Sequence, residues 1–479
     1  MKTALEDLTQ IINSDEISSA ARTTARGFTQ SRKITLQDVI LYYTFRHGET
    51  TNKDIISYFS KVEKPKVSKQ AMFKALDKTN PNMFPLIIRR FAKDFYEHQD
   101  YETLDGWVVL ACDGTKMDLP PSQEMKEKFG GYLNQTITDE SKVRKPQANC
   151  SILIDVLNHV VLDALIKPCK TSEIPMLYEH LENCRELLKG KKVMLLCDRY
   201  YGSAELFLYC RLYGYKLLVR AKSYMYKKQV ANIEDDGWIH LSFDNAWLRR
   251  LKREDCKAHA QENPYLDIRV VKGHYEYTLD GYKREPVHVD SIYMTDLWEE
   301  SFPSKDIIEL YHVRRWDNET AYFDIKDHLE AEKFNSGKYN IVVCELYGKI
   351  LCYSVCGIIY DRAEELHLEK VRKAEAGQPS TLYDYIPNMK YICDTVRMEH
   401  QFIQFLTGKS KNPEESTAYL SRLEDDCSRN TVPVRPGRHY KRWGRWMSSI
   451  PTAKFRIDGR RNPPIQKCFK TNGYVTIQG

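Results

Sequence analysis

Trp107-Val108-Val109-Leu110-Ala111-Cys112-Asp113-Gly114-Thr115 is an apolar run that stops at a carboxylate. A short continuous apolar stretch bounded by a turn signal reads as a strand buried on both faces, and this one delivers Asp113 to its C-terminal end. Lys191-Lys192-Val193-Met194-Leu195-Leu196-Cys197 repeats the pattern and hands over to Asp198-Arg199-Tyr200-Tyr201. Either acid alone is equally the residue of a helix cap or a turn. Two of them closing two buried strands ask for a shared explanation.

The surrounding elements supply an order. Ser151 to Val156 and His159 to Ile166, broken at Leu157-Asn158, read as a hairpin. Thr171 or Ser172 caps a helix running through Leu188; a helix from Ser203 to Leu212 and a strand from Lys216 to Arg220 follow the second acid. Strand, hairpin, helix, strand, helix, strand is the order of a ribonuclease H-like α/β domain, in which the first and fourth strands lie side by side and set Asp113 next to Asp198. Residues 223–303 alternate Tyr, Val, Ile and Thr between turns such as Asp236-Gly237 and Lys272-Gly273, which predicts a β-rich insertion with strands at Asp267–Val271 and His288–Met294.

Ahead of this core, residues 1–100 read as helices: Thr35 to Arg46, Thr51 to Phe59, Ser68 to Asp77 and Met83 to Tyr96, with Thr51 and Ser68 as N-caps. The second and third of these form a helix-turn-helix reading with a long connection, Ser68-Lys69-Gln70 leading. Arg22, Arg26, Arg32 and Lys33 suggest an exposed basic arm.

The third acid lies on a helix, Tyr311-His312-Val313-Arg314-Arg315-Trp316-Asp317-Asn318-Glu319-Thr320-Ala321-Tyr322-Phe323-Asp324-Ile325-Lys326. At about 100° per residue, Glu319, Lys326, Tyr322 and His312 fall within about 60° of Arg315, and Val313, Trp316 and Phe323 make an adjacent apolar stripe expected to face the core. A salt-bridged surface helix is the competing reading. Asn340 to Glu365 returns as a long apolar helix. Its run Ile341 to Tyr360 carries Glu345 and Lys349, so it reads as buried and not as a membrane span, which needs about 20 uncharged residues.

With 479 residues, 42% hydrophobic and 29% charged, the chain has the makeup of a soluble globular protein of two to four domains. The boundaries follow the composition: helical 1–100, first part of the α/β core 101–222, insertion 223–303, last part of the core 304–365, and a helical, basic 366–479. The first residues include Glu6 and Asp7 and lack the apolar region of a signal peptide. Thirteen cysteines, scattered through apolar runs without a CxxC pair, indicate neither a disulfide framework nor a zinc site, and a reducing cytoplasm is expected.

Three carboxylates converging from two strand ends and a helix make an oxygen-ligand site for hard divalent cations. Two Mg²⁺ ions, with Mn²⁺ as substitute, would there serve in-line phosphoryl displacement. Asp113 is assigned as the ligand bridging both ions, Asp198 and Glu319 as completing one shell each, and Arg315 and Lys326 as holding substrate phosphates.

The ordered motifs Asp113-Gly114-Thr115, Asp198-Arg199-Tyr200-Tyr201 and Arg315, Glu319, Lys326 resemble those of bacterial insertion-sequence DDE transposases of the IS-four type. The family's glutamate signature places Tyr, Arg, Glu and Lys at fixed spacing; here the Tyr position holds His312, with Tyr311 one residue early. The resemblance implies cut-and-paste transposition: cleavage of double-stranded DNA at the element's ends, strand transfer into target DNA by the freed 3′-hydroxyl, and action as a homodimer on DNA. It implies no membrane and no nucleotide cofactor, a cytoplasmic place at the nucleoid, and DNA contacts from Arg199, Tyr201, His312, Arg315 and Lys326. It also implies a base-stacking aromatic in the insertion, with Trp238, Trp247 and Trp298 as candidates. A silent, DNA-binding descendant and a nuclease or resolvase without strand transfer are the alternatives.

From Arg429 to Lys470 twelve Lys or Arg face one acid, Asp458, with Tyr440, Trp443, Trp446 and Phe469 interleaved. Cations for phosphates and rings for stacking are the makeup of a nucleic-acid-binding segment; a solvated tail is the plainer reading. Neutralising Arg438, Lys441, Arg442 and Arg445 together should weaken DNA binding and flatten its dependence on salt, measured as the slope of log affinity against log salt.

Overall fold

β1 (Trp107–Asp118), β2 (Gln147–Asp155), β3 (Val160–Pro168), β4 (Lys192–Cys197), β5 (Tyr215–Arg220), β6 (Asp236–Ser242), β7 (Tyr265–Tyr277) and β8 (Val287–Thr295) join in one mixed sheet, ordered β3-β2-β1-β4-β5-β8-β7-β6. The computed structural model describes residues 1–24, 27–28, 33–131, 145–222, 224–277, 287–375, 383–408 and 413–434. β1, β4 and β5 are parallel neighbours, and the other pairings are antiparallel. The predicted adjacency of the first and fourth strands is present, with Val108 beside Val193 and Cys112 beside Cys197.

β1 does not stop at Asp113. It runs five residues further, paired with β2 through Asp118 opposite Gln147. Asp113 is therefore a mid-strand residue toward β2 and an end residue only toward β4. The apolar run showed where burial on both faces ends, and the strand continues beyond it because β2 still offers a hydrogen-bonding edge.

The segment read as an insertion extends this same sheet. β8 pairs with β5, Leu218 opposite Thr295 and Arg220 opposite Tyr293, and β7 and β6 follow outward. The segment also carries helices, of which Glu254–Glu262 packs on Ala204–Tyr213. The wholly buried Arg269 pins it: Nε donates to Asp236 at 2.8 Å and Nη1 to the Phe302 carbonyl at 2.7 Å.

The N-terminal helices form where predicted, over Leu36–Phe45, Thr51–Lys61, Lys69–Leu76 and Met83–His98. Ser68 caps its helix through the Ala71 amide, 3.2 Å away. Thr51 does not cap; it is the first helical residue, and Thr50 stands at the cap position without a side-chain bond. The Met83–His98 helix packs on β3, with the Tyr96 hydroxyl on Asp155 at 2.7 Å and Arg89 on Asp163 at 2.7 Å. The expected boundary near residue 100 thus falls inside a continuous hydrophobic core that includes Leu5, Phe84, Leu110 and Leu195.

Tyr339–Glu375, a single helix of 37 residues, passes β3, the Leu36–Phe45 helix and the Pro413–Arg429 helix. Part of it is apolar and long enough to cross a membrane, yet that part is buried inside the fold. Gly348 allows the approach: a Cβ there would lie 2.7 Å from the Tyr43 carbonyl oxygen. Its buried charges meet Arg46, whose Nη1 lies 3.3 Å from Asp54 and Nη2 3.1 Å from Glu345. Burial pushes the Glu345 carboxyl up to about 7, against the pull of Arg46 and Lys349. All twelve described cysteines are buried free thiols.

Arg46→Met would leave Asp54 and Glu345 buried without their shared guanidinium. Breaking a buried ion pair from one side costs about 3–5 kcal/mol, so the urea midpoint should fall sharply; a midpoint close to wild type would show that these acids are neutral in the fold.

Candidate active site

The parallel register of β1 and β4 ends at Cys112 and Cys197, so the next residues, Asp113 and Asp198, leave the pair side by side. Each takes a nearby amide: Gly114 N–H donates to Asp113 Oδ1 at 2.8 Å, and Tyr200 N–H donates to Asp198 Oδ1 at 2.6 Å. Burial and then the charge of Asp198 push the Asp113 carboxyl up to about 7, while the Gly114 amide and Arg315 oppose and Glu173 adds to the rise.

Glu173 is a fourth carboxylate that the sequence reading passed over. It opens the Glu173–Asn183 helix, and a Cβ on Gly114 would lie 2.7 Å from its Cγ, Cδ and Oε1. Any side chain after Asp113 would make the Glu173 carboxylate shift. Burial raises the Glu173 pKa, Lys116 opposes, and Asp198 raises it further. Successive strand residues face opposite ways, so Glu173 approaches from the side of Gly114 and the glutamate helix from the side of Asp113.

That glutamate helix spans Ser304–Phe323, beginning seven residues before Tyr311, and packs on β1, β4, β5 and β7. Its buried side carries Ile307, Tyr311, Arg315, Asn318 and Tyr322, at helical spacing. Of the apolar stripe expected inside, Val313 is 43% exposed and Phe323 45%, and the Trp316 side chain lies outside the described residues. Arg315 and Tyr322 take the inner side because partners wait there. Arg315, with a side chain 9% exposed, pairs with Glu319 through Nη2 and stands 3.6 Å from Asp113 Oδ2 through Nη1. One guanidinium therefore lies between the first and third acids. Among the described residues no three His, Cys, Asp or Glu side chains converge closely enough to hold a metal ion.

The predicted DNA contacts divide. Arg199 is exposed beside Asp198. Tyr201 is completely buried, so its ring braces the core and offers no surface to DNA; Tyr200 is the exposed neighbour, with the Lys222 ammonium 5.4 Å from its ring centre. Arg315 is engaged with the acids and not turned to solvent. Lys326 reaches β1, donating to Thr115 Oγ1 at 2.7 Å and to the Lys116 carbonyl at 2.8 Å. It sits in a π-helical turn, Asp324–His328, closed by the Leu329 amide on the Asp324 carbonyl at 2.8 Å. His312 Nε2 meets the Tyr293 hydroxyl at 2.6 Å, and burial, then Arg220 and Arg315, push its pKa down to about 4. A neutral imidazole brings no charge to a phosphate. Arg438, Lys441, Arg442 and Arg445, with Arg26 and Arg32 of the basic arm, lie outside the described residues.

Ser151, His180 and Asp163 form a chain beneath Asp113: Ser151 Oγ to His180 Nε2 is 3.0 Å and His180 Nδ1 to Asp163 is 2.8 Å. The three have the order of a hydrolytic triad, but none has any exposed surface, so no substrate reaches them. No sequence motif announces this chain.

The chain matches the family described as Transposase DDE domain over residues 106–355 and belongs to that family. No curated protein matches it. Among solved structures it is similar to piggyBac transposase in a synaptic complex with hairpin DNA, at 10% identity and a TM-score of 0.43, covering 88% of this chain and 85% of that one.

The proton held by Asp113 has a consequence for stability. Its pKa of about 7 in the fold exceeds the ordinary 3.8, so the folded state binds more protons between these values. Its favourable contribution is full below the ordinary value and lost as pH rises to about 7. In metal-free protein, the stability of wild type relative to Asp113→Asn should fall over that window by on the order of 4 kcal/mol. Urea unfolding across pH checks this; a flat difference would show an ordinary carboxylate.

Proposed function

We propose that this family member is a DNA transposase of the bacterial insertion-sequence, IS-four type, performing metal-dependent cleavage and strand transfer at the ends of its element. The observation that carries the reading is the register-enforced pairing of Asp113 and Asp198 at the carboxyl end of β4, on the five strands β3-β2-β1-β4-β5 ordered as in a ribonuclease H-like core.

The charge of Asp198 raises the proton affinity of Asp113 and Glu173, and such a cluster suits a divalent cation, since positive charge relieves the repulsion. Asp113, Asp198 and Glu319 are the residues proposed to hold it. Bound there, Mg²⁺ or Mn²⁺ ions would activate a water or 3′-hydroxyl and stabilise the leaving oxygen of an in-line displacement. Glu319 reaches that role by leaving Arg315, and Arg315 is then released toward phosphate. Arg199, exposed beside Asp198, and Lys326, bonded to β1 at Thr115 and Lys116, are proposed to meet the substrate backbone.

For gripping ends, the exposed first turn Ser68-Lys69-Gln70-Ala71 is proposed to enter a groove and the basic tail to follow the backbone. Of the tryptophans, Trp238 lies on β6, five strand spacings or about 24 Å from β1, and Trp298 packs against it with ring centres 5.1 Å apart. Trp247 is packed against Phe243, 5.9 Å between ring centres. Tyr200 and Tyr224, 43% and 72% exposed just after β4 and β5, are better placed to stack on a base. Action as a homodimer on two ends belongs to the same proposal.

The pairing of Glu319 with Arg315 favours one alternative, a descendant that binds ends without cutting. Cleavage of DNA bearing the element's own flanking ends, with Mg²⁺ or Mn²⁺, separates the two. Wild type should cut. Asp113→Asn, Asp198→Asn and Glu319→Gln should each lose cutting by at least about 10³-fold while still binding ends. Binding by all four proteins with cutting by none would move the silent reading ahead.

A further inference from the structure

Tyr322 occupies an unusual place. In the antiparallel ladder of β1 and β2, hydrogen-bonded pairs alternate with non-bonded ones. Val156 N–H donates to the Val109 carbonyl at 3.1 Å and Leu119 N–H to the Pro146 carbonyl at 2.9 Å, at the two ends of the register. Counting by twos from either end makes Asp113 and Ile152 a bonded pair. At that rung the Ile152 amide also donates to the Tyr322 hydroxyl at 2.9 Å, and the hydroxyl donates to the Asp113 carbonyl at 2.7 Å. The Cys150 carbonyl lies 3.2 Å from the same oxygen. A phenol from the glutamate helix thus bonds to both strands of the ladder at the residue bearing the first acid.

A second donor reaches the same carbonyl. Ser151 Oγ donates to the Asp113 oxygen at 3.2 Å and is itself held by His180. Tyr322 follows Glu319 by three residues, on nearly the same helix side, so its bond fixes the helix against β1 within one turn of the third acid.

We infer that Tyr322 is a positioning residue: its hydroxyl, bridging Ile152 and Asp113, sets the spacing between Asp113 and Glu319 needed to hold a divalent cation. This rests on the reading of these acids as the metal site. Tyr322→Phe keeps the ring and leaves the Asp113–Ile152 rung of the ladder in register, so the fold should survive while the helix loses its anchor.

The test uses the full chain and two readouts. Mn²⁺ binding, followed by the electron paramagnetic resonance signal of the free ion, should weaken about 10-fold or more in Tyr322→Phe, with binding of end DNA unchanged. In cleavage assays the half-saturating Mg²⁺ concentration should rise by a similar factor, with the rate largely restored at saturating Mn²⁺. Ser151→Ala, which removes the second donor, should shift both in the same direction and serves if Tyr322→Phe does not fold. Wild-type Mn²⁺ affinity and Mg²⁺ dependence in Tyr322→Phe, while Asp113→Asn loses binding, would overturn the role of Tyr322 alone. If wild type binds Mn²⁺ no better than Asp113→Asn, the metal-site reading falls and this inference with it.

Discussion

The parallel register between β1 and β4 is the constraint on which the site depends. It brings together two carboxylates that are 85 positions apart in the chain, 113 and 198, without any contact between their side chains being required. The cost is electrostatic, because both acids, with Glu173 nearby, share one poorly solvated corner. Much of the local structure answers that cost. The amides of Gly114 and Tyr200 each donate to one carboxylate, Arg315 stands against Asp113 and Glu319, and Asp113 retains a proton to about pH 7.

The same pressure explains the glutamate helix. Burying Arg315 and Tyr322 while leaving Val313 and Phe323 in solvent reverses the usual sorting by polarity, and it is stabilised because Arg315 and Tyr322 each meet a partner on the sheet. Hydrogen bonds to charged groups contribute about 1.5–3 kcal/mol each, comparable to burying an aliphatic side chain, about 1.5–3 kcal/mol. The helix is oriented as much by its chemistry as by its oil.

These two features separate what the sequence made legible from what it did not. The strand ends at Cys112 and Cys197 were readable because strands covered on both faces are written as unbroken apolar runs. The hairpin, the capped helices and the order of the core elements were readable for similarly local reasons. Glu173 escaped because its place against Gly114 depends on how a helix docks on the sheet, which no local pattern records. The outward Val313 and Phe323 escaped because hydrophobic periodicity presumes that the inner side is apolar. Pairing of β5 with β8 joins residues more than 70 positions apart, so the pattern of 223–303 showed β-rich strands but not that they extend the same sheet. Tyr201 and Tyr200 are adjacent in sequence, and only the turn after β4 decides which is buried.

The helix Tyr339–Glu375 has a mechanical meaning as well as a structural one. Thirty-seven residues at about 1.5 Å each make a rod of about 55 Å, comparable to the span of a sizeable domain. It touches β3, the Leu36–Phe45 helix and the Pro413–Arg429 helix, so segments from both ends of the sequence ride on one stiff shaft. A tilt of about 5° about one end moves the other by about 5 Å, by simple leverage on that length. Load applied to the helices at one end is therefore felt at the sheet as a displacement and is not absorbed along the way.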